Sequence, residues 1–485
     1  MNRRPYRLAP LCAAIVLICG ASVARANVPL TPFAPDKYTN ATSQHRTEVE
    51  PDTLSFGSTE VSAYQAGRFF DGGASGIGFA TTTNSGTSWA SGFLPGITVF
   101  DTPAGPYSRA TDPAVAYDSV HNVWLVSTLG LVVKNKRING AAVLVSRSTD
   151  GGLTWGNPVV VANATRGADF DKNWVVCDNN AGSAFKGHCY VTFDDFGHGD
   201  RLKFSTSVNG GTSWSAPVNT ADNANGLGGQ PLVQPNGTVV VPTANASETA
   251  ILSTRSTNGG ASWEASRLIS QVVDHPVASN IRSGPLPTAE IDGSGKVYVA
   301  WQDCRFEAGC AANDIVLSSS SDGLTWSAVT GVPADGANAN ADQFIPGLAV
   351  DPSGRLALTY YFYPDAACGT ACQLNVGYIS SADGGATWGP ATMLAGPFSP
   401  SWIANTSQGA MVGDYISTSF LGTTAHPVFV TATDPAGGPL AENAVTPTTG
   451  LPATGGSTPA IGASAAVVSP KGSANGALNK VGHRE

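Results

Sequence analysis

The sequence predicts an all-β chain, and three observations carry that reading. A turn-forming octapeptide ending in tryptophan recurs along the chain, a Pro-led strand pattern recurs upstream of it, and helical periodicity is hard to find after residue 30. Only 13% of the residues are charged while 56 are glycine, a balance that suits many short strands and tight turns.

Each repeat opens on a strand of the form Pro-x-x-x-x-Asp/Asn. The copies start at Pro113, Pro231, Pro287 and Pro346 and end at the turn residues Asp118, Asn236, Asp292 and Asp351. Asn173 to Asp178 is a version without Pro, and Pro51 to Phe56 opens the series without its acidic turn. A second apolar strand follows directly, as in Val123 to Thr128, Cys189 to Phe193, Thr238 to Pro242, Val297 to Trp301 and Leu356 to Tyr361. A third, such as Ala142 to Ser146 or Ile315 to Ser318, runs into the octapeptide, and a fourth is expected after it.

The octapeptide reads Ser148-Thr-Asp150-Gly-Gly152-Leu-Thr154-Trp155, with close copies ending at Trp214, Trp263 and Trp388 and looser ones ending at Trp89 and Trp326. Asp or Asn followed by Gly is the chemistry of a tight turn, because Gly supplies positive φ and the Asx side chain bonds nearby amides. The indole then buries a large ring against neighbouring strands. Tryptophans 66, 59, 49, 63 and 62 residues apart mark a repeat of supersecondary size.

This octapeptide resembles the Asp box of sialidases and related β-propellers, where it sits at a hairpin between the outer strands of a blade. The resemblance implies a sialidase-like β-propeller of four-stranded blades over residues 27–433. After the sixth octapeptide, Val412 to Phe420 and His426 to Thr433 look like a further opening strand and its partner. Either the mature N-terminus completes a seventh blade, or a six-bladed ring closes on these strands; the number of opening strands favours seven.

The ends of the chain read differently. Residues 1–26 carry a basic start (Arg3, Arg4, Arg7), an apolar stretch and Ala24-Arg25-Ala26, the pattern of a cleaved secretory signal. Cleavage would remove four arginines and no acid, taking the net charge from −9 to about −13 and disfavouring nucleic acid or anionic membranes as partners. Residues 434–485 are rich in Pro, Gly, Ala, Thr and Ser, and a disordered tail is expected there. Within it Leu451-Pro-Ala-Thr-Gly455 resembles a sortase signal for cell-wall attachment, although no membrane-length apolar run follows.

Cys12 and Cys19 leave with the signal, and the remaining six cysteines fall as near neighbours: 177 with 189, 304 with 310, 368 with 372. Of 15 connectivities, short loops in an exported chain favour these local pairs over a metal site. No cofactor is expected; the Asp-rich turn from Asp194 to Asp200 leaves a structural calcium ion open.

Ligand sites in such architectures lie at a mouth of the central channel. The residues just before each repeat Pro, or before Asn173, are Glu50, Asp112, Lys172, Gln230, Leu286 and Ile345, four of them polar. Blade-to-blade hydrogen bonding accounts for them as well as ligand contact does. The resemblance further implies an exo-α-sialidase, in which three arginines clamp the substrate carboxylate while a Tyr nucleophile, a Glu and an Asp acid/base act at the anomeric carbon. On this chain those roles fall to Tyr415, Glu290 and Asp112, with Arg68, Arg109 and Arg305 as the clamp. The family's Phe/Tyr-Arg-Ile-Pro motif is missing, since Phe69-Phe70-Asp71 follows Arg68, and Arg305 has Asp303 beside it as an ion-pair partner. The alternative is a non-catalytic propeller that binds glycans or proteins; a polysaccharide lyase has no specific residue in its favour. Either reading gives a secreted or periplasmic monomer whose partner is an extracellular glycan or glycoprotein.

Overall fold

The computed structural model describes residues 28–335 and 340–462. The signal expected over residues 1–26 lies outside them. The chain is all-β: among the described residues helical structure is limited to the 3-10 segments Phe196–His198, Gly369–Ala371 and Pro400–Trp402, and no helix is long and apolar enough to cross a membrane.

Antiparallel strand groups follow one another along the chain, with opening strands Glu48–Phe56, Arg109–Asp118, Phe170–Cys177, Leu232–Val233, Thr288–Ile291, Asp342–Val350 and Ser417–Leu421; the first two groups join into one sheet through the Ala74↔Ala110 pair. Each opening strand pairs with the next long strand, as Phe56↔Thr59, Asp118↔Val123 and Val350↔Leu356 show. The turns between them are capped by the expected acids. Asp118, Asp292 and Asp351 each accept backbone N–H groups from the following residues.

Opening strands contact the next in chain order, and Ser417–Leu421 returns to contact Glu48–Phe56, so they form a closed circuit. The apolar core is divided accordingly. One cluster joins Val61 and Phe79 to Val115 and Trp124; another joins Val123 and Val143 to Val191 and Phe193; others continue round to Val428 and Ala444 against Tyr64 and Ala80. Burial therefore lies between faces of consecutive sheets, where alternate residues of each strand interdigitate.

The octapeptide turns supply contacts between successive sheets. Ser148 Oγ donates to Asp150 Oδ1 at 2.8 Å and accepts from Gly152 N at 3.0 Å, Asp150 Oδ1 accepts from Thr154 N at 2.9 Å, and Trp155 Nε1 donates to Gly152 O at 3.1 Å. Gly152 has φ 80°, and a Cβ there would meet Val61 Cγ2 of the preceding sheet at 2.6 Å, so glycine is required twice over. Asn209 and Asn258 accept from Ser213 N and Ser262 N at 3.0 Å in the same way. Asp150→Ala is therefore expected to cost about 1 kcal/mol in denaturant unfolding. Asp150→Asn, which copies the natural asparagines at 84, 209 and 258, should cost a small fraction of that.

Two expectations about the C-terminal stretch need correction. Residues 434–462 are not a tail: Glu442–Pro447 lies between Thr424–Ala432 and Leu30–Pro32, with Val445 paired to both Phe429 and Pro32. Composition hid this because Ala444 and Val445 are the whole apolar content of the strand, and both are buried. The Leu451 to Gly455 pentapeptide is also built in. Leu451 pairs with Ala425, Pro452 O accepts from Tyr378 Oη at 3.0 Å, and Ala453 is buried, which is incompatible with the free extended peptide a sortase needs. Residues 463–485 lie outside the described residues.

The cysteines form the three local disulfides, Cys177–Cys189, Cys304–Cys310 and Cys368–Cys372. Disulfides without a membrane-length apolar helix are compatible with an extracellular protein.

Candidate functional site

Four opening strands share one irregularity. The register slips between Val49 and Asp52, Thr111 and Ala114, Asp171 and Trp174, and Phe344 and Gly347, and within each slip one residue is left-handed: Glu50 (φ 54°), Asp112 (φ 52°), Lys172 (φ 49°) and Ile345 (φ 50°). These are bulges, which redirect a side chain out of the pleat. They are also the residues that precede the repeat Pro or its Asn173 equivalent. The bulges bring Glu50, Asp112 and Lys172 to one place on the circuit's axis.

There they meet Asp414, Arg282 and Arg68 in a buried ionic cluster. Lys172 Nζ and Arg282 Nη2 both pair with Asp414 Oδ2, and Arg282 Nε donates to Asp414 Oδ1 at 2.6 Å. Asp414 N donates to Glu50 Oε1 at 3.1 Å, while Gln65 Nε2 bridges Glu50 Oε2 and Thr111 Oγ1. Thr111 Oγ1 and Lys172 N then donate to the two oxygens of Asp112, at 3.0 and 2.9 Å. Arg68 Nη1 donates to Gln65 Oε1 at 2.9 Å.

Ionisation in the cluster is polarised. Burial opposes a charge on Asp414, but Arg282 and Lys172 outweigh it and hold that carboxyl far below the ordinary range. Burial likewise opposes the charge on Lys172, and Asp414, Asp112 and Glu50 overcome it, so the ammonium is held more firmly than usual. Glu50 is pushed up to about 7 by burial and by the Asp414 and Asp112 carboxylates. Burial also raises Asp112, and raises Asp171 and Asp194 well above the carboxylate range. Arg68 falls to about 10 through burial and the neighbouring Arg282.

Further along the same strands lies a cavity of about 240 Å³. Its wall carries the rings of Tyr117 and Trp174, the amides of Asn179, Asn180 and Gln230, and the carboxyls of Asp52 and Glu290, with no Lys, Arg or His. Burial, then the Asp52 carboxylate, pushes Glu290 up to about 8; burial pushes Asp52 up to about 7, although Val115 N donates to it at 2.7 Å. Tyr415 stands between cavity and cluster, edge-on to Trp174 at 5.0 Å and under the influence of Glu50, Asp112 and Asp52.

The sequence-derived residues are thus only partly brought together. Asp112 and Arg68 enter the cluster, Glu290 lines the cavity, and Tyr415 lies between them with its hydroxyl donated to Pro113 O at 3.0 Å. Arg109 is elsewhere, donating to Asp71 Oδ1 at 2.7 Å and Gly72 O at 2.6 Å above the Phe69 ring. Arg305 pairs with Asp303 and reaches Gln271 O on the outer strand of the preceding sheet. No three of the expected arginines converge. Arg282 was missed: it stands in the loop before Thr288–Ile291, where no repeat motif runs, and its only signal is that a cation is rare in this chain. In the turn from Asp194 to Asp200, Asp194 joins the cluster's electrostatics while Asp195 pairs with His198 at 2.8 Å.

No protein-family model and no curated protein matches this chain. Among solved structures it is similar to a protein of unknown function from Dyadobacter fermentans (16% identity, 73% of this chain and 99% of that one, TM-score 0.46). It is also similar to the Hadza microbial sialidase Hz136 (14%, 65% of each chain, 0.44) and to the leech intramolecular trans-sialidase (12%, 70% and 67%, 0.46).

Proposed function

We propose that this chain is a secreted seven-bladed β-propeller that binds an uncharged part of an extracellular glycan or glycoprotein in the cavity between its opening strands. The blade number rests on the circuit of opening strands and on the division of the core between successive sheets. The single observation that carries the ligand class is the cavity wall. Aromatic rings offer a flat apolar face, amides and carboxyls offer directional hydrogen bonds, and no cation awaits an anion.

The same wall argues against sialoside cleavage. A sialic acid carboxylate needs arginine forks, yet Arg282 and Lys172 are committed to Asp414, and Arg109 and Arg305 to Asp71 and Asp303, which leaves Arg68, bonded to Gln65, without a second arginine to complete a clamp. Asp414 already supplies the carboxylate that Arg282 and Lys172 pair with.

A second reading has one observation in its favour. Glu290, held at about 8, is protonated at neutral pH and shares the cavity with Asp52, so a neutral-glycan hydrolase would have its acid in place. Binding to a glycan panel, followed by calorimetry on the best ligand, separates the readings. Trp174→Ala is expected to weaken binding at least tenfold without unfolding the protein, and neither sialosides nor neutral aryl glycosides should turn over. Sialic acid release that Tyr415→Phe abolishes would refute the proposal. Turnover of a neutral glycoside lost in Glu290→Gln would establish the second reading instead.

A further inference from the structure

Away from the central cavity, Glu307, Asp314 and Asp335 each place a carboxylate oxygen within 4.8 Å of the other two. Three separate pieces of chain contribute them. Glu307 sits in the loop closed by Cys304–Cys310, Asp314 opens the strand Asp314–Ser320, and Asp335 follows the short outer strand Thr330–Gly331.

An acidic cluster alone would mean little, but Asp314 adds an independent fact. Its side chain is 1% exposed, and neither carboxylate oxygen has a hydrogen-bond partner. Asp335 Oδ2 is likewise buried without a partner. A buried carboxylate normally collects donors or a cation, and among the described residues no Lys, Arg or His forms an ion pair with any of the three. Arg305, the arginine nearest to Glu307 in sequence, is spent on Asp303. Burial first, then Glu307, Asp335 and Asp303, push the Asp314 carboxyl up to about 8, so the three groups repel one another as they stand.

We propose that Glu307, Asp314 and Asp335 are the protein ligands of a calcium ion that ties the Cys304–Cys310 loop to the strand beneath it. Calcium takes carboxylate oxygens at roughly 2.3–2.6 Å, so oxygens across its sphere stand up to about 5 Å apart; a separation within 4.8 Å falls inside that span. Magnesium holds its ligands closer and keeps more of its water, which suits three carboxylates from three segments less well. Water completes the calcium sphere. Such sites in extracellular modules bind in the range of about 10⁻⁴–10⁻³ M, matched to calcium outside cells.

The test is thermal unfolding of the mature protein, stripped with EDTA and then titrated with CaCl2 or MgCl2. Calcium is expected to raise the midpoint by roughly 3 °C and to saturate in the millimolar range, with a smaller response to magnesium. Asp314→Asn should abolish the response, while its calcium-free midpoint equals or exceeds that of the stripped parent because a buried repulsion is gone. Asp335→Asn provides a second reading of the same loss should Asp314→Asn fold poorly. A parent protein indifferent to calcium, or a response that survives in either variant, overturns the site.

Discussion

Replacing Asp414 with alanine is expected to destabilise the protein by about 3–5 kcal/mol, the scale for removing one partner of a buried ion pair. The carboxylate is the shared acceptor of Lys172 Nζ, Arg282 Nε and Arg282 Nη2, and all three side chains are at least nine-tenths buried. Without it, two cations face each other near a third, Arg68, whose guanidinium burial already weakens. Glu50 limits the damage. Its carboxyl is pushed up partly by Asp414 itself, so without Asp414 it ionises more readily beside Lys172 and Arg282 and takes over part of the neutralisation. Urea unfolding at pH 5 and pH 8 measures the loss. Lys172→Met in the Asp414→Ala background should recover part of the stability by removing one stranded charge. A loss below about 1 kcal/mol at both pH values would mean that the cluster contributes nothing net.

That cluster also shows how far the sequence could be read. Residues before the repeat Pro were legible as a polar ring because a fixed place in a repeat becomes a fixed place on the axis, and Glu50, Asp112 and Lys172 do converge. The bulges were not legible: each depends on a register slip between two strands, and local propensity says nothing about register. Arg109 and Arg305 were chosen for charge and proximity in sequence, yet each is satisfied by an acid of its own, Asp71, 38 residues before Arg109, and Asp303, two residues before Arg305. Local neutralisation is the cheaper outcome wherever an acid is within reach of an arginine.

The all-β class, the octapeptide turns and the cysteine pairing were legible for the opposite reason. Each depends on residues within a dozen positions of one another, from Ser148 to Trp155 or from Cys177 to Cys189. The strand Glu442–Pro447 was not, because its partners are Leu30–Pro32 and Thr424–Ala432, the first of them at the other end of the chain. A segment with two apolar residues resembles a tail until the strands that flank it are known. Arg282 belongs with it, since its partner Asp414 is 132 residues away.

Lowering the pH from 8 to about 5.5 is expected to stabilise this protein, by roughly 5 °C or more in the unfolding midpoint. Glu48, Glu60 and Glu290 are each pushed up to about 8 by burial, and Asp52 and Glu50 to about 7. An acid whose folded value exceeds its unfolded one binds more protons in the folded state across the interval, so stability falls as pH rises from about 4.5 through 8. A tenfold gain in proton affinity at each of the three glutamates is alone worth about 4 kcal/mol. His426 works the other way. Burial lowers it to about 4, so below about 6.5 it withdraws stability, but it is one group against several. At the acid end Asp322, held at about 2 by the Thr325 and Leu324 amides, and the paired Asp414 contribute stability that disappears only as pH falls below about 4. The maximum should lie near pH 5–6. Thermal scans from pH 4 to 9 in EDTA, which keeps any metal bound at Asp314 out of the comparison, measure the curve directly. In Glu60→Gln, which replaces a carboxyl whose Oε2 is buried without a partner, the alkaline limb should flatten and the midpoint at pH 8 should rise. A curve that climbs between pH 5.5 and 8 would show that these glutamates are ionised in the folded protein and that buried donors reach them.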